Sequence, residues 1–159
     1  MDCQPAAKGK IILSKVAFIS LIGALLDLEE NRLELLDSYY PVPTPGRAEM
    51  DALIERYISR MNETLERITV TESAAANPFP FAVIGSQLVI QDLGNQAIEQ
   101  YRIISPSKLR REPTDISIFS PLGKGVLLQE VNSIVPVDAP GGRFKFQIMS
   151  ITINPQREG

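Results

Sequence analysis

Apolar residues in the first half of the chain recur at alternating spacings of three and four residues. One series comprises Phe18, Leu21, Leu25, Leu28, Arg32, Leu35 and Tyr39. A second series comprises Met50, Ile54, Tyr57, Met61, Thr64 and Ile68. This spacing is the a/d pattern of a coiled coil, in which one face of each helix packs against its neighbour. It predicts two helices, at about 14–40 and 47–67, with Ser14 as the N-cap of the first.

The segment between the two series predicts a turn. It runs from Tyr40 to Gly46 and contains three prolines, which cannot continue a helix. The two helices should therefore fold back on one another as an antiparallel coiled-coil hairpin, residues 1–73. The first helix also has Ile22, Leu26, Leu33 and Leu36 outside its series, a wider apolar face than a two-stranded coil needs. Part of that face should pack on the second half of the chain or on a partner.

The second half of the chain changes to short β-type segments. After a small, proline-bearing linker at 74–80, apolar runs occur at 81–84, 87–91, 100–104, 116–119, 134–137 and 144–153. Turn residues separate these runs, and Gly141-Gly142 is typical of a hairpin turn. Ser120 and Pro121 predict the start of one helix, 121–128. The predicted fold class is α+β, with an antiparallel β domain at 81–159 crossed by a short helix.

Composition narrows the function classes. The chain has 159 residues and a net charge of −3, which argues against a strongly basic nucleic-acid binder. It contains no histidine, so histidine triads and HExxH zinc sites are excluded. Its one cysteine, Cys3, excludes an intrachain disulfide and a thiolate zinc site. The apolar run at 16–28 is too short for a membrane helix, and a soluble cytoplasmic protein is expected.

Three sequence segments in the second half of the chain resemble those of a known protein family. They are GSQLVIQDL at 85–93, IFSPLGKGVLL at 118–128, and VPVDAPGG at 135–142 followed by FKFQIMSI at 144–151. In this order and spacing they resemble the C-terminal domain of the GreA/GreB transcript-cleavage factors of bacterial RNA polymerase, which has an FKBP-like fold. Leu13-Ser14 and the segment 47–50 resemble the family's N-terminal coiled coil. The resemblance runs from about Ile12 to Ile151.

The resemblance implies a function and a partner. In the family, the C-terminal domain docks on the rim of the polymerase's secondary channel and the coiled coil enters the channel. An Asp and a Glu at its tip help to hold the second catalytic magnesium, and the polymerase then cleaves the RNA 3′ end. The resemblance implies that this protein is a cytoplasmic monomer that is not itself an enzyme and holds no cofactor. It also implies DNA binding and contact with nascent RNA during transcription. The implied polymerase-binding residues are Phe119, Ser120, Pro121, Leu122 and Lys124.

The tip of the hairpin departs from the family pattern. Aligned through Ala48-Glu49, the two tip acids fall at Pro43 and Gly46, and the segment 41–47 has no carboxylate. The tip region of interest comprises Pro43, Thr44, Pro45, Gly46, Arg47, Glu49 and Asp51. No catalytic or metal-binding residue is predicted there, since Glu49 is also explained as a first-turn carboxylate favoured by the helix dipole. By the same alignment, each helix of the hairpin is also about one heptad shorter than in the family. This corresponds to a loss of about 10 Å in reach.

Three hypotheses follow from the sequence. The chain is a Gre-like regulator that occupies the channel without stimulating cleavage, or a cleavage factor using Glu49 or Asp51, or an Rnk-like protein with a shorter hairpin. Phe119 is either a core residue or an apolar docking contact. The basic residues Lys108, Arg110 and Arg111 form a solvated loop or contact RNA or polymerase. No prolyl isomerase activity follows from the fold, and the sequence shows no aromatic pocket signature.

Overall fold

The helical hairpin is present and its first cap is confirmed. The computed structural model describes residues 10–72, 76–109 and 111–153, and Cys3 lies outside them. The hairpin consists of α1, Lys15–Tyr39, and α2, Pro45–Leu65. Ser14 Oγ accepts a hydrogen bond from the Ala17 N–H at 3.1 Å, as expected of an N-cap. The second helix begins two residues before the predicted 47, because Thr44 caps it and proline is tolerated at the first helical position.

The predicted seam is confirmed in the middle of the hairpin and differs at its ends. Members of both series are buried against each other: Leu21, Leu25 and Leu28 on α1, and Met50, Ile54, Tyr57, Met61 and Thr64 on α2. Arg32, the charged member, forms ion pairs across the seam with Asp51 and Glu55, each at 2.7 Å. Towards the tip, however, Leu36 is buried and Tyr39 is 52% exposed. The ring of Tyr39 leaves the seam because it packs on the second half of the chain, described below.

A two-stranded parallel sheet closes the base of the hairpin. Strand β1, Ile11–Ser14, pairs with β2, Ile68–Thr71, with Ile11 opposite Ile68. The prediction that Ile68 ends the second helical series is wrong, since the helix ends at Leu65 and Ile68 starts a strand. The Ile11 N–H donates to the Arg67 carbonyl at 3.0 Å, which starts the pairing.

The second half folds as a mostly antiparallel five-stranded sheet with one short helix. The strands are β3 Ser86–Asp92, β4 Ile98–Ile103, β5 Asp115–Ile116, β6 Ile134–Ala139 and β7 Gly142–Ile153, in the order β5-β4-β3-β7-β6. Only the β4–β5 pair is parallel among the described strands of this sheet. The short helix α3, Pro121–Val126, packs on β6. The predicted α+β fold class, a helical hairpin followed by a mostly antiparallel sheet domain with one short helix, is confirmed.

Two predicted strands are shorter or absent. Residues 81–84 form a buried loop with a single bridge, from Phe81 to Glu130, instead of a strand. The run predicted at 116–119 pairs only through Ile116, because the Ser120 N–H turns back to donate to the Ser117 carbonyl. The predicted hairpin turn is present one residue earlier than Gly141-Gly142, at Pro140 and Gly141, because Gly142 already pairs with Ala139 as the first residue of β7. Gly142 has a φ of 134°, which glycine adopts without a steric penalty.

The segment after the hairpin is packed in its described part. Phe79 is 2% exposed and its N–H donates to the Ile151 carbonyl at 3.0 Å. Asn77 Oδ1 accepts a hydrogen bond from the Ser14 N–H at 2.8 Å, so this segment also touches the base of the hairpin. The sequence placed a linker at 74–80 between two domains, and that division of the chain stays a prediction.

The hairpin lies against the sheet domain along its length. The hydroxyl of Tyr57, a fully buried side chain on α2, accepts a hydrogen bond from the Ile84 N–H at 2.9 Å. One turn further on, the Arg60 guanidinium lies 4.1 Å from the centroid of the Phe81 ring, a cation–π contact. Residues of both halves form one continuous hydrophobic core. Within the described residues, no helix, the 25-residue α1 included, has a stretch long and apolar enough to cross a bilayer.

A charged contact joins α1 to the sheet domain. The carboxylate of Asp27 accepts hydrogen bonds from the hydroxyls of Ser105 and Ser107 and from the Asn31 amide. Burial raises the pKa of Asp27, but these three hydrogen bonds and the nearby charge of Lys108 outweigh it and lower the pKa below 3.8.

We expect this contact to lose its stabilising effect in acid. A group whose pKa is lowered on folding stabilises the folded state above its unfolded pKa, and loses this effect as pH falls through the folded value. Asp27→Asn should therefore cost about 1 kcal/mol of unfolding free energy at pH 7. The difference between the two proteins should shrink as pH falls below 3.8. Urea unfolding at several pH values measures this, and an equal difference at every pH would contradict it.

Candidate functional site

The tip of the hairpin is fastened by Arg47. Its guanidinium donates to the Tyr40 carbonyl at 2.6 Å and lies 2.9 Å from the Asp37 carboxylate. Thr44 Oγ1 accepts a hydrogen bond from the Arg47 N–H at 3.1 Å and caps α2. Gly46 lies against the Tyr40 ring, where an added Cβ would be 3.3 Å from a ring carbon. The exposed outer surface of the tip consists of Pro41, Val42, Pro43, Thr44 and Pro45.

The carboxylates nearest the tip do not converge on one point. Asp37 pairs with Arg47, and Asp51 pairs with Arg32 at 2.7 Å. Glu49 is exposed on the first turns of α2. Over residues 10–72, 76–109 and 111–153, no group of three or more His, Cys, Asp or Glu side chains is placed to hold a metal ion. The arrangement can bind a surface through apolar and proline side chains, but it supplies no cluster of oxygen ligands.

The segment predicted to dock on the polymerase starts helix α3. Ser120 Oγ accepts a hydrogen bond from the Gly123 N–H at 3.1 Å and donates to the Ser117 carbonyl at 2.7 Å. Pro121 occupies the first helical position, so the predicted cap is confirmed. Lys124 is exposed in the last turn. Gly123 is buried against this turn, where an added Cβ would overlap the Ser117 carbonyl oxygen.

The structure brings the hairpin tip and this segment together. The rings of Tyr39 and Phe119 stack in parallel, with centroids 4.1 Å apart and 1° between their planes. The Tyr40 ring is tilted towards the same phenylalanine at 6.3 Å. The sequence left Phe119 open between core and docking, and here it contacts the tip. No local signal could show this, because 79 residues separate Tyr40 from Phe119.

An apolar groove opens beside the start of α3. It has a volume of about 460 Å³. Its apolar lining comes mainly from Tyr101, Pro121, Leu122, Val137, Phe144 and Phe146. Of the five predicted polymerase-binding residues, Ser120, Pro121 and Leu122 line this groove. The sequence analysis missed its aromatic lining, although Phe144 and Phe146 alternate along β7 and so share a face.

Acidic side chains surround the groove. Asp92, Glu99 and Asp115 lie in its lining. The Tyr101 hydroxyl donates to Glu99 at 2.7 Å, and burial together with this carboxylate raises the pKa of Tyr101 to about 12. The phenol therefore remains a hydrogen-bond donor at physiological pH. A groove with an apolar floor and acidic neighbours suits a partner that offers apolar side chains next to a basic one.

The predicted basic cluster is divided. Lys108 lies near Asp27 on the hairpin side of the domain and lowers its pKa. The Arg111 N–H donates to the buried Asp115 carboxylate at 2.9 Å, on the groove side. Arg110 lies outside the described residues. A contact between this cluster and RNA stays a prediction.

Comparison with known proteins places these features in a family. Residues 79–153 match the family described as "Transcription elongation factor, GreA/GreB, C-term". The sheet domain of this chain is a GreA/GreB C-terminal domain. The matched range includes the groove and the whole start of α3.

Individual relatives of the chain are distant in sequence. The transcription elongation factor GreA of Christiangramia forsetii is 27% identical over 103 residues, which is 65% of this chain and 65% of that protein. GreA of Solidesulfovibrio magneticus is 24% identical over 132 residues, 83% of this chain and 79% of that protein. The solved GreA/GreB elongation factor of Nitrosomonas europaea covers 90% of this chain and 98% of its own, with 19% identity and a TM-score of 0.46. The match to the first relative thus spans less than two thirds of that protein's length.

Proposed function

We propose that this protein binds bacterial RNA polymerase at the rim of the secondary channel and regulates elongation without stimulating transcript cleavage. The observation that carries the proposal is the placement of the groove. It lies at the start of α3 in the matched domain, and the hairpin tip rests on the neighbouring Phe119. One surface therefore presents both the docking residues and the tip. We infer a cytoplasmic location from the proposed binding to RNA polymerase, since transcription occurs there.

Docking would use the groove. Leu122 on α3 and the aromatic rings of Tyr101 and Phe144 form its walls, and Phe144 is 36% exposed. Aromatic side chains in an open groove are the usual anchors of a protein interface. The acidic residues around them would attract a basic side chain of the polymerase and orient the partner.

The absence of cleavage is proposed from the chemistry of the tip. Magnesium requires oxygen ligands, and a two-metal centre needs them close to both reacting oxygens. The two family positions for acids are Pro43 and Gly46, whose side chains cannot ligate a metal. Asp51, a candidate replacement, is already held by Arg32 through two hydrogen bonds at 2.7 and 3.0 Å.

The reach of the hairpin supports the same conclusion. The sheet domain touches α1 at Asp27 and again at Tyr39, about 18 Å further along the helix. The tip therefore extends past the domain only by the loop that follows Tyr40. To reach deep into a channel, the tip would have to leave Phe119.

Cleavage through Glu49 is the second candidate function. Its side chain is exposed near the tip, unlike the ion-paired Asp51. It would act as a single carboxylate, since Pro43 and Gly46 provide no second one. An Rnk-like role would use the same docking groove, so the binding experiment below applies to it as well.

Binding through the groove can be tested with an exposed residue. Phe144→Asp should raise the dissociation constant for RNA polymerase more than about tenfold, because it removes an aromatic anchor and places a charge where apolar side chains of the partner would pack. Ile134→Asp is the matched control, since Ile134 is 56% exposed on β6 and lies outside the groove. Binding is measured by fluorescence titration, with circular dichroism to confirm the fold. Equal binding by both variants and the wild type would contradict docking at the groove.

A further inference from the structure

A second cleft, here called the α1 cleft, lies between α1 and the sheet domain. It has a volume of about 470 Å³, and within the described chain its lining residues are entirely different from those of the groove at α3. Helix α1 forms one wall. The segment before β3, the end of β4 and the loop after β4 form the other. A cleft of this size accommodates a small organic molecule.

The middle of the α1 wall is a glycine that packing within the chain does not require. Gly23 lies in the interior of a 25-residue helix, where glycine is less favourable than every residue except proline. A Cβ added there would have no other part of the described chain within 4 Å, so no neighbour excludes a larger side chain. The glycine therefore contributes nothing to the fold by close packing, and it leaves the cleft open at this point.

The cleft is apolar towards the N-terminal end of α1. Val16 and Ile19 line it and are 62% and 58% exposed, so their side chains are accessible to a ligand. On the sheet-domain wall the lining includes the buried residues Ile84 and Ile103. Covering the two exposed aliphatic side chains with an apolar group would remove their surface from water, which is favourable.

The charged residues of the lining favour an anion. They are two bases, Arg102 and Lys108, and one acid, Asp27. The Asp27 carboxylate already accepts hydrogen bonds from the hydroxyls of Ser105 and Ser107, and Lys108 lies close enough to lower its pKa. An amine would have to compete with these hydrogen bonds for Asp27. An anion would instead meet a lining with a net charge of one positive unit.

The distance between the apolar and charged parts limits the shape of such an anion. Asp27, with Lys108 beside it, lies eight residues beyond Ile19, which is about 12 Å along α1. A compact anion such as acetate would reach only the charged part, and a small hydrocarbon only the apolar part. A ligand that uses both has one anionic group on an extended apolar chain.

We propose that the α1 cleft binds a small amphipathic anion. Its apolar chain lies against Val16 and Ile19, and its carboxylate or equivalent group lies beside Lys108. The site is separate from the groove at α3, so this proposal does not depend on the proposed function. Because the ligand contacts both walls, it stabilises the arrangement in which the hairpin lies against the sheet domain.

Isothermal titration calorimetry of the full chain with decanoate, kept below its critical micelle concentration, tests the site. We expect saturable binding at one site. Acetate lacks the apolar chain and decylammonium lacks the negative charge, so each should bind at least about tenfold more weakly. Co-sedimentation with phosphatidylglycerol vesicles tests a membrane surface as the source of the anion. Decanoate that fails to bind, decylammonium that binds equally well, or protein that pellets with the vesicles would overturn the proposal.

Substitutions on both walls locate the ligand. Gly23→Leu should fill the cleft and raise the dissociation constant for decanoate more than about tenfold, although leucine favours the helix. Ser38→Leu is the matched control, since Ser38 is exposed on α1 and lies outside the cleft. Lys108→Gln should weaken binding about tenfold, and Lys108→Arg, which keeps the charge, should retain it. Unchanged binding by Gly23→Leu and Lys108→Gln, with circular dichroism spectra like the wild type, would place decanoate elsewhere and contradict the proposal.

Discussion

Backtracked elongation complexes that receive this protein are expected to release the RNA 3′ end no faster than the polymerase alone. The reason is the tip, where residues 41–47 contain no carboxylate and Asp51 is paired with Arg32. A small misplacement of a catalytic group can cost ~100-fold in rate, and here the ligands themselves are absent. The measurement is 3′-end release at neutral pH with magnesium, with an active GreA as the positive control.

One double variant separates the effect of the missing tip acids from the effect of the limited reach of the hairpin. Pro43→Asp combined with Gly46→Glu restores carboxylates at the tip, although a side chain at Gly46 must displace the Tyr40 ring, 3.3 Å away. If this variant binds polymerase and remains inactive, the limited reach of the hairpin is a second barrier. Cleavage by the wild-type protein at the rate of an active GreA, lost on Glu49→Ala, would instead establish the second candidate function.

Gly123→Ala is expected to destabilise the sheet domain by about 3 kcal/mol and to abolish polymerase binding. An added Cβ would overlap the backbone carbonyl oxygen of Ser117, which is held by the Ser120 hydroxyl and N–H and cannot move aside easily. Helix α3 would have to shift, and with it Pro121 and Leu122 in the groove. Chemical denaturation measures the loss of stability, and the titration described above measures binding.

Gly141→Ala is the matched control for this prediction. It lies in the turn of the same domain, where an added Cβ would be an ordinary 3.8 Å from the Phe144 ring. We expect little change in stability or binding for it. If Gly123→Ala were as stable as this control, the packing of α3 against the Ser117 turn would not be what positions the groove.

Local sequence patterns predicted a helix or a cap correctly where no contact with a distant segment changed the outcome. The spacing of Met50, Ile54 and Tyr57 defines a helix face whatever surrounds it, and Ser120-Pro121 caps a helix by its own chemistry. Ile68 fitted the helical series by spacing. It became a strand because β1, far away in the sequence, offered a pairing partner.

The site was less predictable because it depends on contacts between distant segments. The family resemblance directed attention to Ser120, Pro121 and Leu122, which line the groove. The aromatic walls come from two separate strands, and the stacking of Tyr39 on Phe119 joins residues 80 apart in the chain. The stacking of Tyr39 on Phe119 has no local periodic signal. The alternation of Phe144 and Phe146 was the one cue available, and it becomes meaningful only once β7 is known to face α3.

Competition with an active cleavage factor is the most direct test of a channel-rim regulator that does not stimulate cleavage. Backtracked complexes receive a fixed amount of GreA and increasing amounts of this protein, and 3′-end release is followed over time. The account predicts that release falls towards the level of polymerase alone, and that Phe144→Asp shifts this inhibition to more than about tenfold higher concentration. Release that stays at the GreA level at every concentration, or rises above it, would contradict the account.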